Sequence, residues 1–115
     1  MGRHEDARAE FPPGTLYLLI LQTLALRGPM HGYGIAEHIE TTTSGVLQAE
    51  EGSLYPALQR MLIKGWVLAE GGLSENKRRA RYYRLSAAGR KQLAREMRQF
   101  ERVTGAIGRV LGWAP

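Results

Sequence analysis

The 115-residue chain contains no cysteine, which excludes a disulfide framework and a thiolate metal site. Such a composition suits a reducing compartment, and a cytoplasmic location is expected. Long hydrophobic runs are also missing. The longest, Leu16 to Leu21, is far too short to span a bilayer, so no membrane role is expected. The charged opening, Met1 to Glu10, leads into no small-residue cleavage site and does not read as a secretion signal. No nucleophile is accompanied by a plausible base, and the acidic residues form no pair suited to acid-base work, so the chain is not expected to be an enzyme. His31 and His38 are seven residues apart, about 10.5 Å along a helix, too far to chelate one ion. Gly32-Tyr33-Gly34 lacks the third glycine and the preceding strand of a dinucleotide fingerprint. Neither metal nor cofactor is expected.

What the chain does have is unevenly placed positive charge. The formal net charge is +5. Ten of the sixteen basic residues fall between Lys77 and Arg102 against only Glu96 and Glu101, so that segment carries +8 and the remainder −3. A local basic field of this kind is either a solvated face or a polyanion site.

At this length one domain is expected, with a core large enough to need no metal or disulfide. Residues 1–13 are polar and end in Phe11-Pro12-Pro13, which reads as a flexible arm. Thr15 is then expected to cap a helix from Leu16 to about Leu26, apolar almost all round and so covered on several sides. Arg27 to Gly32 reads as a turn. A second helix follows to about Thr42, and Val46 to Ala49 as a short extended stretch.

The segment Glu51 to Gly65 organises the rest. Leu54, Leu58, Met61 and Leu62 gather into one stripe of a helix, leaving Ser53, Pro56, Gln59, Arg60, Ile63 and Lys64 on the free side. Pro56 falls in the first turn if Gly52 or Ser53 is the cap, and Gly65 is suited to end the helix. A short helix with an apolar back and a polar, cationic front is a candidate for the DNA major groove. Gln59 and Arg60 are the expected base readers, since Gln pairs with adenine and Arg with guanine; a merely solvated face is the alternative. Tyr55 sits where the two faces meet, either in the core or with its hydroxyl on a phosphate.

Trp66 to Glu70 reads as a strand, Gly71-Gly72 as a turn and Arg81 to Leu85 as the returning strand, with Lys77, Arg78 and Arg79 in the loop between. A cation-tipped hairpin directly after such a helix is the layout of a winged helix, its wing placed to reach phosphates. Tyr82 and Tyr83 point to opposite faces of their strand. Ser86 caps a last helix in which Leu93, Met97, Phe100, Thr104, Ile107 and Leu111 alternate spacings of four and three. This heptad seam is read as self-association, with a core stripe packed on the same chain as the alternative. Trp113 and Phe100 fit a dimer core or a pocket between subunits.

Pro29-Met-His-Gly-Tyr-Gly-Ile35, Glu51-Gly-Ser-Leu-Tyr-Pro-Ala-Leu-Gln-Arg-Met-Leu-Ile-Lys-Gly-Trp-Val67 and Arg79-Ala-Arg-Tyr-Tyr-Arg-Leu-Ser-Ala-Ala-Gly-Arg90 resemble successive motifs of PadR-type bacterial transcription regulators. The resemblance covers about Leu16 to Leu93. It implies an α+β, mainly α, winged helix-turn-helix with a two-stranded wing over residues 14–86 and a long C-terminal dimerisation helix over 87–115, similar to the family's short subgroup. It also implies a homodimer on two-fold symmetric double-stranded DNA, usually a repressor. Ser53, Tyr55 and Pro56 match the start of the family's recognition helix, and Lys77, Arg78, Arg79 and Arg81 match its wing. A small aromatic effector at the dimer interface and a winged-helix protein-interaction module remain as alternatives.

Overall fold

The computed structural model describes residues 14–73 and 75–113, so the expected arm at 1–13 lies outside the described residues. Helix α1 (Thr15–Arg27) is the central element, packing against three other helices and the sheet. Leu18, Ile20, Leu21 and Leu24 are buried on it. Each such side chain contributes roughly 1.5–3 kcal/mol when fully removed from water. Thr23 is also buried, with its hydroxyl donating to the Leu19 carbonyl at 2.7 Å. The cap position is held by Gly14, not Thr15, which is the first helical residue.

Strand β1 (Met30–His31) follows, then α2 (Gly32–Thr42), α3 (Glu51–Ile63), β2 (Val67–Leu73), β3 (Arg79–Leu85) and α4 (Ala87–Leu111). The sheet is antiparallel with strand order β1-β3-β2. Val67 lies opposite Leu85, Leu73 opposite Arg79, and His31 opposite Tyr82. This is an α+β winged-helix architecture with a long last helix.

Three expectations change. The turn before α2 contains β1, so the two-stranded wing is backed by a third strand at its root. Gly71 and Gly72 lie within β2, opposite Arg81 and Ala80, and not in a turn. The reversal instead falls beyond Leu73, where Lys77 adopts a left-handed backbone with φ of 61°. Pro56 is the sixth residue of α3, past the first turn, because the helix starts at Glu51 after an extended Glu50. Glu51 places negative charge at the helix's positive end, which favours that earlier start.

Gly65 ends α3 as expected. Its φ of 77° lets the Trp66 amide reach back to the Met61 carbonyl and its own amide to the Leu62 carbonyl, both at 3.0 Å. These bonds close the helix as a Schellman motif. Ser86 caps α4, accepting from the Gly89 amide at 3.0 Å. Its hydroxyl also contacts the carbonyls of Gly65 at 2.6 Å and Trp66 at 3.0 Å. One side chain thus fastens the end of α3 to the start of α4.

The core joins Ile20, Leu21, Leu24, Ile35, Ile39, Leu54, Ala57, Leu58, Met61, Val67, Tyr83 and Leu85. Leu93 packs against its edge. Beyond that point α4 leaves the core, and Phe100, Ile107 and Leu111 of the heptad row are exposed. Met97 and Thr104 are half-buried. The helix is interrupted by neither Gly105 nor Gly108; it stops at Gly112, after which Trp113 folds back so that its amide reaches the Gly108 carbonyl at 2.8 Å. Trp113 therefore lies past the helix it was expected to occupy.

Candidate nucleic-acid interface

Helix α3 turns Leu54, Ala57, Leu58 and Met61 inward. Ala57 completes the buried stripe, while Leu62, expected there, is only half-buried. At 3.6 residues per turn the opposite side is Gly52, Pro56, Gln59 and Ile63, and all four are exposed. Ile63 is 77% exposed, so an apolar side chain stands on the outer face beside Gln59. Ser53 is exposed as well.

The two flanks of the helix differ. On one, the Arg60 guanidinium lies over the Tyr17 ring, 5.6 Å from its centroid, and its Nε donates to the Tyr17 hydroxyl. Lys64 Nζ sits 5.3 Å from the Trp66 ring centroid. Tyr17 and Trp66 meet edge to face at 5.9 Å. Both cations of the helix therefore rest on an aromatic pair contributed by α1 and the start of the sheet. Cation–π contacts of this kind contribute about 0.5–1 kcal/mol at exposed sites.

On the other flank, Tyr55 lies against Gly32 at the start of α2. A Cβ at Gly32 would stand 2.6 Å from Tyr55 Cε1 and 2.7 Å from its hydroxyl, so the close approach requires glycine. Tyr55 is 42% exposed. Burial of the hydroxyl end, then the Glu51 carboxylate, then Tyr83, push the phenol's pKa up, so it stays protonated. Tyr55 is therefore a brace between α3 and α2 that lies outside the buried core and keeps an exposed remainder.

His31 ties the wing to the same place. Its Nδ1 accepts from the Gly34 amide at 2.9 Å, capping α2, and its ring lies 5.4 Å from that of Tyr82 across the β1–β3 pairing. Tyr82 in turn donates to the Leu73 carbonyl at 2.9 Å, holding the far end of β2. Tyr83, on the other strand face, is buried. The wing residues Lys77, Arg78, Arg79 and Arg81 are all exposed. Arg84 faces Glu70 at 4.0 Å, a solvent-exposed pair of small energetic weight.

Tyr55, the first turn of α2 and Arg78, Arg79 and Arg81 line one open cleft of about 990 Å³. The wing's arginines and the aromatic flank of α3 thus meet at one cleft, with α2 between them, while Arg60 and Lys64 lie on the other flank. Sequence reasoning missed α2's part in it. Tyr33, 69% exposed at the cleft, is the residue overlooked, and the Gly32-Tyr33-Gly34 pattern was its signal. Among the described residues no cluster of three potential metal ligands occurs, and no helix is long and apolar enough to cross a membrane.

Known proteins share this fold. Residues 20–95 match the Transcriptional regulator PadR-like family. A transcriptional regulator from Clostridium thermocellum superposes with a TM-score of 0.76 at 28% identity, over 84% of this chain and 92% of that one. A PadR family transcriptional regulator from Eggerthella lenta gives 0.70 at 28% identity, over 85% and 82%. In sequence, an uncharacterized 37.1 kDa protein in transposon TN4556 of Streptomyces fradiae is 39% identical over 90 residues. That stretch is 78% of this chain but 24% of the transposon protein, so the chain spans about a quarter of that relative.

Proposed function

Because this chain belongs to the PadR-like family of transcriptional regulators, which bind DNA and are not enzymes, we propose that it is a sequence-specific repressor acting as a homodimer on a two-fold symmetric operator. The observation that carries this reading is the exposed outer side of α3, whose flanking Tyr55 shares one cleft with Arg78, Arg79 and Arg81 of the wing. A major groove about 12 Å wide admits such a helix. In this reading Gln59 pairs with adenine and Arg60 with guanine, while Ser53, Tyr55, Pro56 and Lys64 fix the helix against the groove walls. Lys77, Arg78, Arg79 and Arg81 neutralise phosphates, which sets position without reading sequence.

The dimer is proposed from α4. Its row of Leu93, Met97, Phe100, Thr104, Ile107 and Leu111 passes from the core edge to an exposed apolar ridge, and such ridges mark association surfaces. Two copies joined along it would present their α3 helices one DNA turn apart or a multiple, about 34–36 Å per turn. Occupation of the operator blocks other proteins from the same groove, so repression is the proposed outcome, in the cytoplasm.

Selection of bound sequences from a random duplex pool tests all of this together. A two-fold motif is the expected result; recovery of no preferred sequence, or no duplex binding at low salt, refutes it.

Phe100 on the ridge and Trp113 past the end of α4, 42% and 62% exposed, favour one second reading, a small aromatic effector held between subunits. Planar aromatic compounds would then quench tryptophan fluorescence and release the operator.

A further inference from the structure

Helix α4 contains a tandem repeat that the proposed dimer does not use. Lys91-Gln92-Leu93-Ala94-Arg95 and Arg98-Gln99-Phe100-Glu101-Arg102 share one pattern, offset by seven residues: cation, glutamine, apolar ridge residue, any residue, arginine. Arg109 continues the arginine position by a further seven. A seven-residue period returns to nearly the same helix face, so Arg95, Arg102 and Arg109 form a row about 10.5 Å apart along the axis. Lys91 and Arg98 run beside it. Leu93 and Phe100 fall on the other side of the helix, so this row faces away from the apolar ridge.

Each repeat also holds its arginine in place. Arg95 Nε donates to Gln92 Oε1 at 3.4 Å, and Arg102 Nη2 donates to Gln99 Oε1 at 2.7 Å. In both cases other guanidinium N–H groups remain to grip an anion. Gln92 Nε2 donates to Glu96 Oε2 at 2.8 Å, so the Glu96 carboxylate is engaged by the helix's own glutamine, while the exposed Glu101 borders Arg98 at the edge of the row. Gln92, Arg95, Glu96, Arg98, Gln99 and Arg102 line a shallow open depression.

We infer that this cationic row on α4 is a second nucleic-acid surface, which takes the phosphate backbone of duplex DNA outside the operator. Two observations select that occupant over an acidic protein. Protein interfaces are anchored by apolar or aromatic side chains, and none of the residues lining the depression is apolar. A regularly spaced row of cations instead matches a regularly spaced polyanion, recognised by charge alone. The inference rests on the chain being a DNA-binding regulator.

The test uses the full chain and the duplex selected from the random pool, in a form limited to the operator and a form extended on both sides. The substitutions Arg95→Gln, Arg98→Gln and Arg102→Gln are combined, with circular dichroism and sedimentation verifying unchanged helix content and assembly. The unaltered protein should bind the extended duplex more tightly, or recruit an unrelated duplex to its operator complex. The triple variant should lose that gain while binding the operator-only form as before. It should also flatten the salt dependence on extended DNA by about three units, near 0.9 per phosphate contact. Equal binding of both forms by the unaltered protein, with no recruited duplex, overturns the inference. So does a variant that keeps the extended-DNA gain but loses capture of a polyglutamate peptide, which would assign the row to an acidic protein. Failure to bind even the operator-only duplex sinks the regulator reading first.

Discussion

Arg60 of α3 and Tyr17 of α1 form a single unit: the guanidinium carbon lies 5.6 Å from the ring centroid, towards the hydroxyl edge, while its Nε donates to the phenol oxygen. That leaves both terminal nitrogens of the guanidinium for another acceptor, in the geometry that grips guanine O6 and N7. If Arg60 reads a base as proposed, Tyr17 would order that arginine before DNA arrives and lower the entropy lost on binding.

Arg60→Ala is expected to erase the preference for one guanine in each half-site, at a cost of about 1–3 kcal/mol in discrimination. Tyr17→Phe keeps the ring but removes the acceptor, and is expected to weaken the same preference by about 1 kcal/mol, roughly fivefold. In a double-mutant cycle the effects should not add. Additive losses, or a loss equal on all duplexes, would mean that Tyr17 does not act through Arg60.

Gly89, in the first turn of α4, admits no side chain. A Cβ there would stand 2.0 Å from the Trp66 carbonyl oxygen, which is itself held by the Ser86 amide and hydroxyl. Gly89→Ala should therefore cost about 3 kcal/mol or more in urea unfolding, at the upper end of overpacking effects. Ser86→Ala, which removes only the cap and its carbonyl contacts, should cost about 1–2 kcal/mol.

Ile107 and Leu111 are 49% and 57% exposed, so Ile107→Glu with Leu111→Glu leaves the packed core untouched. Sedimentation velocity should report a monomer with native helix content. A variant that stays dimeric would move the interface from α4 to α1.

Tyr55 adds an alkaline dependence. Its folded-state pKa lies above the unfolded value near 10, so the folded form holds the proton more tightly and the neutral phenol's favourable contribution is intact below about pH 10. That contribution is lost as pH rises through the raised value. Thermal unfolding of the native protein should fall more steeply above pH 10 than that of Tyr55→Phe; parallel curves would show that the hydroxyl does not sense its burial.

Side chains with strong local chemistry were legible from the sequence alone. The spacing of Leu54, Leu58 and Met61 fixes which side of α3 faces in, Ser86 caps α4, and the alternation of Tyr82 and Tyr83 separates surface from core. Features that depend on a distant neighbour were not. Met30 and His31 make too short a strand to show any period, and β3 alone reveals it. Gly71-Gly72 has the composition of a turn, yet Gly72 serves as open space for the Tyr82 ring, whose Cδ1 would stand 3.1 Å from a Cβ. Pro56 misdirected the start of α3 because no capping side chain marks Glu50. Arg60 gave no sign of Tyr17, forty-three residues earlier.

The Ser86 hydroxyl, shared between the end of α3 and the start of α4, has a mechanical consequence. In a homodimer paired along α4 the two helices become lever arms, each about 37 Å long. A twist of about 5° where they cross would sweep the far end through roughly 3 Å, near one base-pair step. If two copies pair along α4 as proposed, the clasp at Ser86 would carry that motion to α3, and a rearrangement of the distant apolar ridge would change the pitch at which the two α3 helices meet the groove.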